Sequence, residues 1–297
     1  MRSRFVVLKH GDKEAWVYPE LGMQLYKFDQ KVDGRDVSVI HAPSLDREPA
    51  DRRYGNPVLF PAPSLSHSES GPDTWIWQKK VLAMPSHGIA RNFCWCVTGL
   101  SPHRVEAELV PNSSAKTSFP FDFRLHGSYV LDDRGLVLDV VVENSGKEAF
   151  PYALGFHPYI RAPLASSGSK HECSIRLPAG VQMTTADQWN TLNGSPVGEK
   201  RIRADEELVG SLLIAESSAR FLEMEDHANR LVARVSVEAS EKDFPYWVIW
   251  SASPKAPFVC LEPWTDGPNA LNRRETRRCG PGETHRYQMS ISVRKLN

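Results

Sequence analysis

The 297-residue chain has no excess of charge of either sign: 36 Lys and Arg balance 36 Asp and Glu, for a formal net charge of zero. Without a long-range field it gathers neither a phosphate backbone nor an anionic lipid surface, so no nucleic acid or membrane partner is expected. Long apolar runs are missing too. None approaches the ~20 residues that span a bilayer, and the four apolar residues from Phe5 to Leu8 are too few for the core of a secretion signal; the expected compartment is the cytoplasm. Cysteine is sparse and odd in number, at 94, 96, 173, 260 and 279, without the paired C-x-x-C spacing of structural zinc. Reduced and mostly buried thiols are expected, and no metal or cofactor. Cys94-Trp95-Cys96 comes nearest to a metal or redox motif, and its thiols are expected to diverge to opposite faces of a strand. Internal repeats, glycine-rich linkers and long capped amphipathic helices are also lacking, which excludes a repeat array and disfavours alternating βαβ units.

What the chain does have is period-two alternation. Tyr287, Met289, Ile291 and Val293 alternate with Arg286, Gln288, Ser290 and Ser292, and Leu231, Ala233, Val235 and Val237 do the same against Arg234, Ser236 and Glu238. Each reads as a strand with one apolar and one wet face. Turn residues separate such runs at Asp33-Gly34, Asp132-Asp133-Arg134-Gly135 and Pro281-Gly282, the positions of hairpin connections. Helix is expected at most over 205–223 and 269–278. The expected architecture is all-β, a large antiparallel β-sandwich forming a single domain over 1–297.

Three segments carry candidate chemistry. His87, in Met84-Pro85-Ser86-His87-Gly88-Ile89-Ala90-Arg91, and His157, in Gly155-Phe156-His157-Pro158-Tyr159, each stand beside a rigid turn next to strand-like sequence. A histidine so placed has its ring aimed into a cleft or bonded to a core carbonyl, and its near-neutral pKa suits proton transfer. Glu262 closes the apolar run Phe258-Val259-Cys260-Leu261. Desolvating a carboxylate costs several kcal/mol, so such a residue meets a cation or sits in an active site.

Together these segments resemble the aldose 1-epimerase (galactose mutarotase) family. The resemblance rests on Gly55-Asn56-Pro57-Val58-Leu59-Phe60-Pro61, His87-Gly88-Ile89-Ala90-Arg91, Gly155-Phe156-His157-Pro158-Tyr159, Leu261-Glu262-Pro263-Trp264 with Pro268-Asn269-Ala270-Leu271, and Gly280-Pro281-Gly282-Glu283-Thr284. The His-Gly-x-Ala-Arg and Gly-Phe-His-Pro-Tyr forms are most similar to the branch containing hexose-6-phosphate mutarotases. The resemblance implies a β-sandwich whose concave face binds a sugar or sugar phosphate, in a monomer or homodimer. It implies Glu262 as catalytic base and His157 as catalytic acid, ionised and cationic respectively. His87, Arg91, Asp205 and Trp264 are the implied substrate-binding residues, with Trp75 and Trp77 as further flat faces for a pyranose. Family members carry an arginine after the first Phe-Pro, where this chain has Ala62-Pro63-Ser64-Leu65-Ser66-His67. Two other readings stay open: a sugar-binding protein of the same fold without turnover, and an iron site built from His87, His157 and Glu262.

Overall fold

The computed structural model describes residues 5–42, 54–184, 193–205, 208, 210–238 and 243–296. The alternating C-terminal segment is the strand Thr284–Lys295, with Tyr287, Met289, Ile291 and Val293 buried and the residues between them half-buried. It pairs with Gly135–Asn144 on one side and Leu231–Val237 on the other, at the centre of a nine-stranded sheet. That sheet runs outward through Phe123–Asp132 and Arg104–Leu109 to Cys96–Ser101, and in the other direction through Phe221–Asp226 and Cys173–Leu177 to Lys200–Arg203.

A second sheet of eight strands lies against it. Its central strands are Gly210–Ala215, Tyr246–Ser251 and Phe258–Trp264, continued by Gly155–Phe156 and Val58–Leu59, and Tyr159–Arg161 also pairs with Phe258–Trp264. A four-stranded sheet is made by Val6–His10, Lys13–Tyr18, Gln24–Val32 and Arg35–Ser38. Among the described residues the pairings between these strands are antiparallel, as expected for an all-β sandwich. One apolar core draws on all three sheets, from Leu8 and Phe28 through Leu138 and Tyr287 to Trp247 and Leu261. The expected turns form: Val32 pairs with Arg35 across Asp33 and Gly34, both at positive φ, and Asp132 pairs with Gly135.

Three expectations are corrected. The span 205–223 holds strands, not helix: Gly210–Ala215 and the start of Phe221–Asp226, with residues 206, 207 and 209 outside the described residues. Leu213 packs on one side of its sheet and Ile214 on the other, so the run is apolar throughout and shows neither period. Over 269–278 only the single 3₁₀ turn Ala270–Asn272 forms, followed by the strand residues Arg278–Cys279. Cys94 and Cys96 do not diverge: both are exposed, with Trp95 buried between them, because positions two apart on an extended chain share a face. Cys173, Cys260 and Cys279 are buried free thiols. No helix among the described residues is long and apolar enough to cross a membrane.

Candidate active site

The eight-stranded sheet is covered on both faces, and the alternation of its strands decides what each face carries. In Phe258–Trp264 all seven residues are buried. Val259 and Leu261 belong to the main core, whereas Phe258 and Cys260 pack with Tyr159, and Trp264 packs with Leu59, Leu213 and Val248. Even-numbered positions therefore point away from the sandwich core, and Glu262 is among them. The register puts His157 opposite it, since Gly155 pairs with Trp264 and Tyr159 with Cys260. Pro158 has no N–H to continue the ladder at this point. The His157 N–H donates instead to Asn56 Oδ1, at 3.1 Å. The result is an imidazole and a carboxylate side by side, His157 Nε2 to Glu262 Oε1 at 3.4 Å, with the residues 5% and 1% exposed.

Small residues let these groups come together. A Cβ on Gly155 would lie 2.6 Å from Trp264 Cδ1, so glycine there lets the indole lie against the neighbouring strand. Trp264 Nε1 then donates to Glu262 Oε2 at 3.2 Å. Gly88, at φ +75°, brings the backbone onto the Phe60 carbonyl, where a Cβ would stand 2.2 Å from the oxygen. His87, at φ +65°, donates its N–H to the Ser64 carbonyl at 2.7 Å, and the Ser64 N–H donates back to His87 Nδ1 at 3.1 Å. An Nδ1 that accepts is unprotonated, so the ring proton of neutral His87 sits on Nε2.

These side chains line a cavity of about 390 Å³ together with Ser64, Ser86, Arg91, Tyr159, Ser211, Val248 and Trp250, a size within the roughly 300–1,000 Å³ of small-molecule sites. The His157 ring stacks on Tyr159 at 4.7 Å, meets Trp250 edge-on at 6.0 Å and lies 5.1 Å from the His87 ring. Arg91, in the 3₁₀ turn Ala90–Asn92, donates to the Ser86 carbonyl at 2.8 Å.

Burial dominates the electrostatics of the pair. Burial pushes the Glu262 carboxyl well above the usual carboxylate range, with only the Trp264 N–H opposing it. Burial, aided by His87 and Arg91, holds His157 well below the usual imidazole range. Desolvation penalises both charges at once, so burial favours the neutral form of each group. His87 is depressed to about 3, by burial first and Arg91 second.

Of the residues singled out in the sequence, Glu262, His157, His87, Arg91 and Trp264 converge on this cavity and Asp205 does not. The Asp205 carboxylate is held by His171 Nδ1 at 2.8 Å and Arg203 Nε at 3.2 Å. Trp75 is core, its indole N–H on the Ser118 carbonyl. Trp77 lines a different and larger cavity, of about 590 Å³, with Arg273, Arg274 and Arg278 and none of the motif histidines. His87 does not join an iron set either: the donor atoms found within 4.8 Å of one another here are those of His157, Cys260 and Glu262. Trp250, Ser211 and Val248 were not singled out. Trp250 and Val248 alternate along a strand paired with Cys260 and Glu262, a signal that exists only once the pairing is known.

The two-sheet antiparallel sandwich is the fold of galactose mutarotase-like proteins. One such protein from Clostridium acetobutylicum superposes with a TM-score of 0.82 over 98% of this chain and 95% of its own, at 18% identity. Another, from Lactobacillus casei, gives 0.77 over 97% and 99%, at 22% identity. In sequence the chain matches the aldose 1-epimerase family over residues 6–292, and it belongs to that family. It is also 25% identical over 195 residues to the chromosomal protein LacX of Lactococcus lactis subsp. lactis, a match spanning 60% of this chain and 62% of LacX.

Proposed function

We propose that the protein is an aldose 1-epimerase that interconverts the α and β anomers of a hexose or hexose phosphate through acid–base catalysis by Glu262 and His157. The observation that carries this reading is the 3.4 Å contact between the two groups at the floor of a sugar-sized cavity. Opening a pyranose requires removal of a proton from the C1 hydroxyl and delivery of one to the ring oxygen; rotation about C1–C2 and reclosure invert C1. One group must start without a proton and the other with it, so the pair needs a single proton between them. It holds that number in the neutral form as well as in the charged form. Glu262 acts as base in its ionised form and His157 as acid in its protonated form, a state favoured when sugar hydroxyls hydrogen-bond the carboxylate. Reclosure reverses both transfers and restores the starting state. His87 Nε2–H and Arg91 hold hydroxyls or a phosphate, and Trp250 and Trp264 face the C–H side of the ring.

Polarimetry of freshly dissolved α-glucose, α-galactose and glucose 6-phosphate tests the proposal. Accelerated mutarotation of at least one of them supports it. Serine at position 64, in a segment where family members carry arginine, motivates the rival reading of a sugar-binding protein without turnover. Binding of these sugars at the uncatalysed rate of mutarotation favours that rival.

A further inference from the structure

The turn between the strand Arg278–Cys279 and the strand Thr284–Lys295 gathers a thiol, a carboxylate and an imidazole outside the cavity. The ligand atoms of Cys279, Glu283 and His285 all lie within 4.8 Å of one another, and His285 Nε2 stands 3.6 Å from Glu283 Oε2. We propose that these three side chains form a Zn²⁺ site, with water in the fourth position. The inference is independent of the sugar chemistry, because none of the three residues lines the candidate active site.

Three observations support it. The first is the donor set: one sulfur, one nitrogen and one oxygen suit zinc, whereas magnesium and calcium take oxygen alone. The second is orientation of the imidazole. His285 Nδ1 lies 2.5 Å from the Tyr152 hydroxyl, which lies 2.5 Å from that of Tyr287. Donation from Nδ1–H to the phenol leaves the Nε2 lone pair facing Glu283, the outer-shell arrangement common to zinc-bound histidines.

The third is a backbone that holds the ligands in place without the ion. Asn144 Nδ2 donates to the Cys279 carbonyl at 2.8 Å, Asn144 N donates to the Glu283 carbonyl at 3.0 Å, and Gly280 N donates to Glu283 Oε2 at 2.7 Å. Cys279 is buried, Glu283 exposed and His285 half-buried, so two of the three ligands reach solvent. On binding, the Cys279 thiol releases one proton, the Sγ–Zn bond forms, and nothing is oxidised or reduced. Affinity therefore rises with pH.

The test uses full-length protein stripped with a chelator and passed through a desalting column after addition of Zn²⁺, with Co²⁺ as a spectroscopic probe. The expected result is one zinc retained per chain and, with cobalt, a thiolate-to-metal charge-transfer band that Cys279→Ser abolishes. His285→Gln is expected to weaken zinc binding by at least tenfold, and Tyr152→Phe by roughly 10- to 100-fold. The proposal is overturned if wild-type protein retains no zinc, or if the cobalt band survives Cys279→Ser and disappears instead when the exposed Cys94 and Cys96 are both changed to Ser. Should Cys279→Ser fail to fold, wild-type zinc affinity in folded His285→Gln overturns it equally.

Discussion

Two buried glutamates, one on each large sheet, differ in how their charge is compensated. Glu223 lies on the nine-stranded sheet opposite Arg234, whose Nε donates to it at 2.8 Å, and Arg294 donates at 2.9 Å. Burial raises its pKa, but the two guanidinium groups outweigh burial and hold it below the usual range. Glu262 is buried more deeply, its polar neighbours are an indole N–H and a depressed histidine, and burial wins. The direction of each shift follows from whether fixed positive charge compensates the carboxylate or is withheld. Under the proposed function, the withheld charge keeps the Glu262 proton available.

The widest separation between the two comes from removing each carboxylate in turn. Glu262→Gln or His157→Asn is expected to slow mutarotation by roughly 10²–10⁴-fold in polarimetric assays. Glu223→Gln is expected to leave the rate within about twofold of wild type. The stability effects run the other way. Glu223→Gln keeps one oxygen acceptor but removes the negative charge facing two arginines, and a cost of about 2 kcal/mol is expected in urea unfolding, below the 3–5 kcal/mol of fully buried pairs because both arginines are partly solvated. Glu262→Gln relieves an uncompensated carboxyl, and a gain of about 1 kcal/mol is expected.

Dependence on pH sharpens the contrast. Glu223, with its folded pKa depressed, contributes stability that is present above the carboxylate's unfolded value and fades as pH falls through the lower folded value. Glu262, with its folded pKa raised, costs stability that grows as pH rises from the unfolded value toward the folded one. Melting temperatures measured against pH are expected to fall less on acidification in Glu223→Gln than in wild type, and more in Glu262→Gln. The smallest effect is expected from Trp264→Phe. Loss of the indole N–H removes the group opposing burial, so the Glu262 pKa rises further. A loss of about tenfold in kcat/KM is expected, with the acidic limb of its pH profile displaced to higher pH.

Most of the site was legible because its residues sit where proline or glycine interrupts an apolar run: His157 before Pro158, Glu262 before Pro263, His87 before Gly88. Such breaks show in a linear sequence. Asp205 lies away from the cavity: its only credential was being acidic between two motifs, and His171 and Arg203 hold it. Trp75 and Trp77 misled because an indole looks the same in sequence whether it fills a core or faces a ligand. The strand Gly210–Ala215 escaped notice for the opposite reason: coverage on both faces erases the alternation that would have revealed it. The Cys279, Glu283 and His285 cluster was invisible to spacing rules because its donors are of three kinds, brought together by a turn.

The reciprocal bonds between Ser64 and His87 have one more consequence. A ring whose first nitrogen is occupied by a main-chain donor, and whose basicity is suppressed to about 3, meets a guest across the physiological range with the same single offering, one N–H. It selects for lone pairs and is indifferent to acidity. Under the proposed function, recognition and proton traffic fall to different imidazoles barely 5 Å apart, so a change in medium that stalls the reaction would leave the grip on the guest intact.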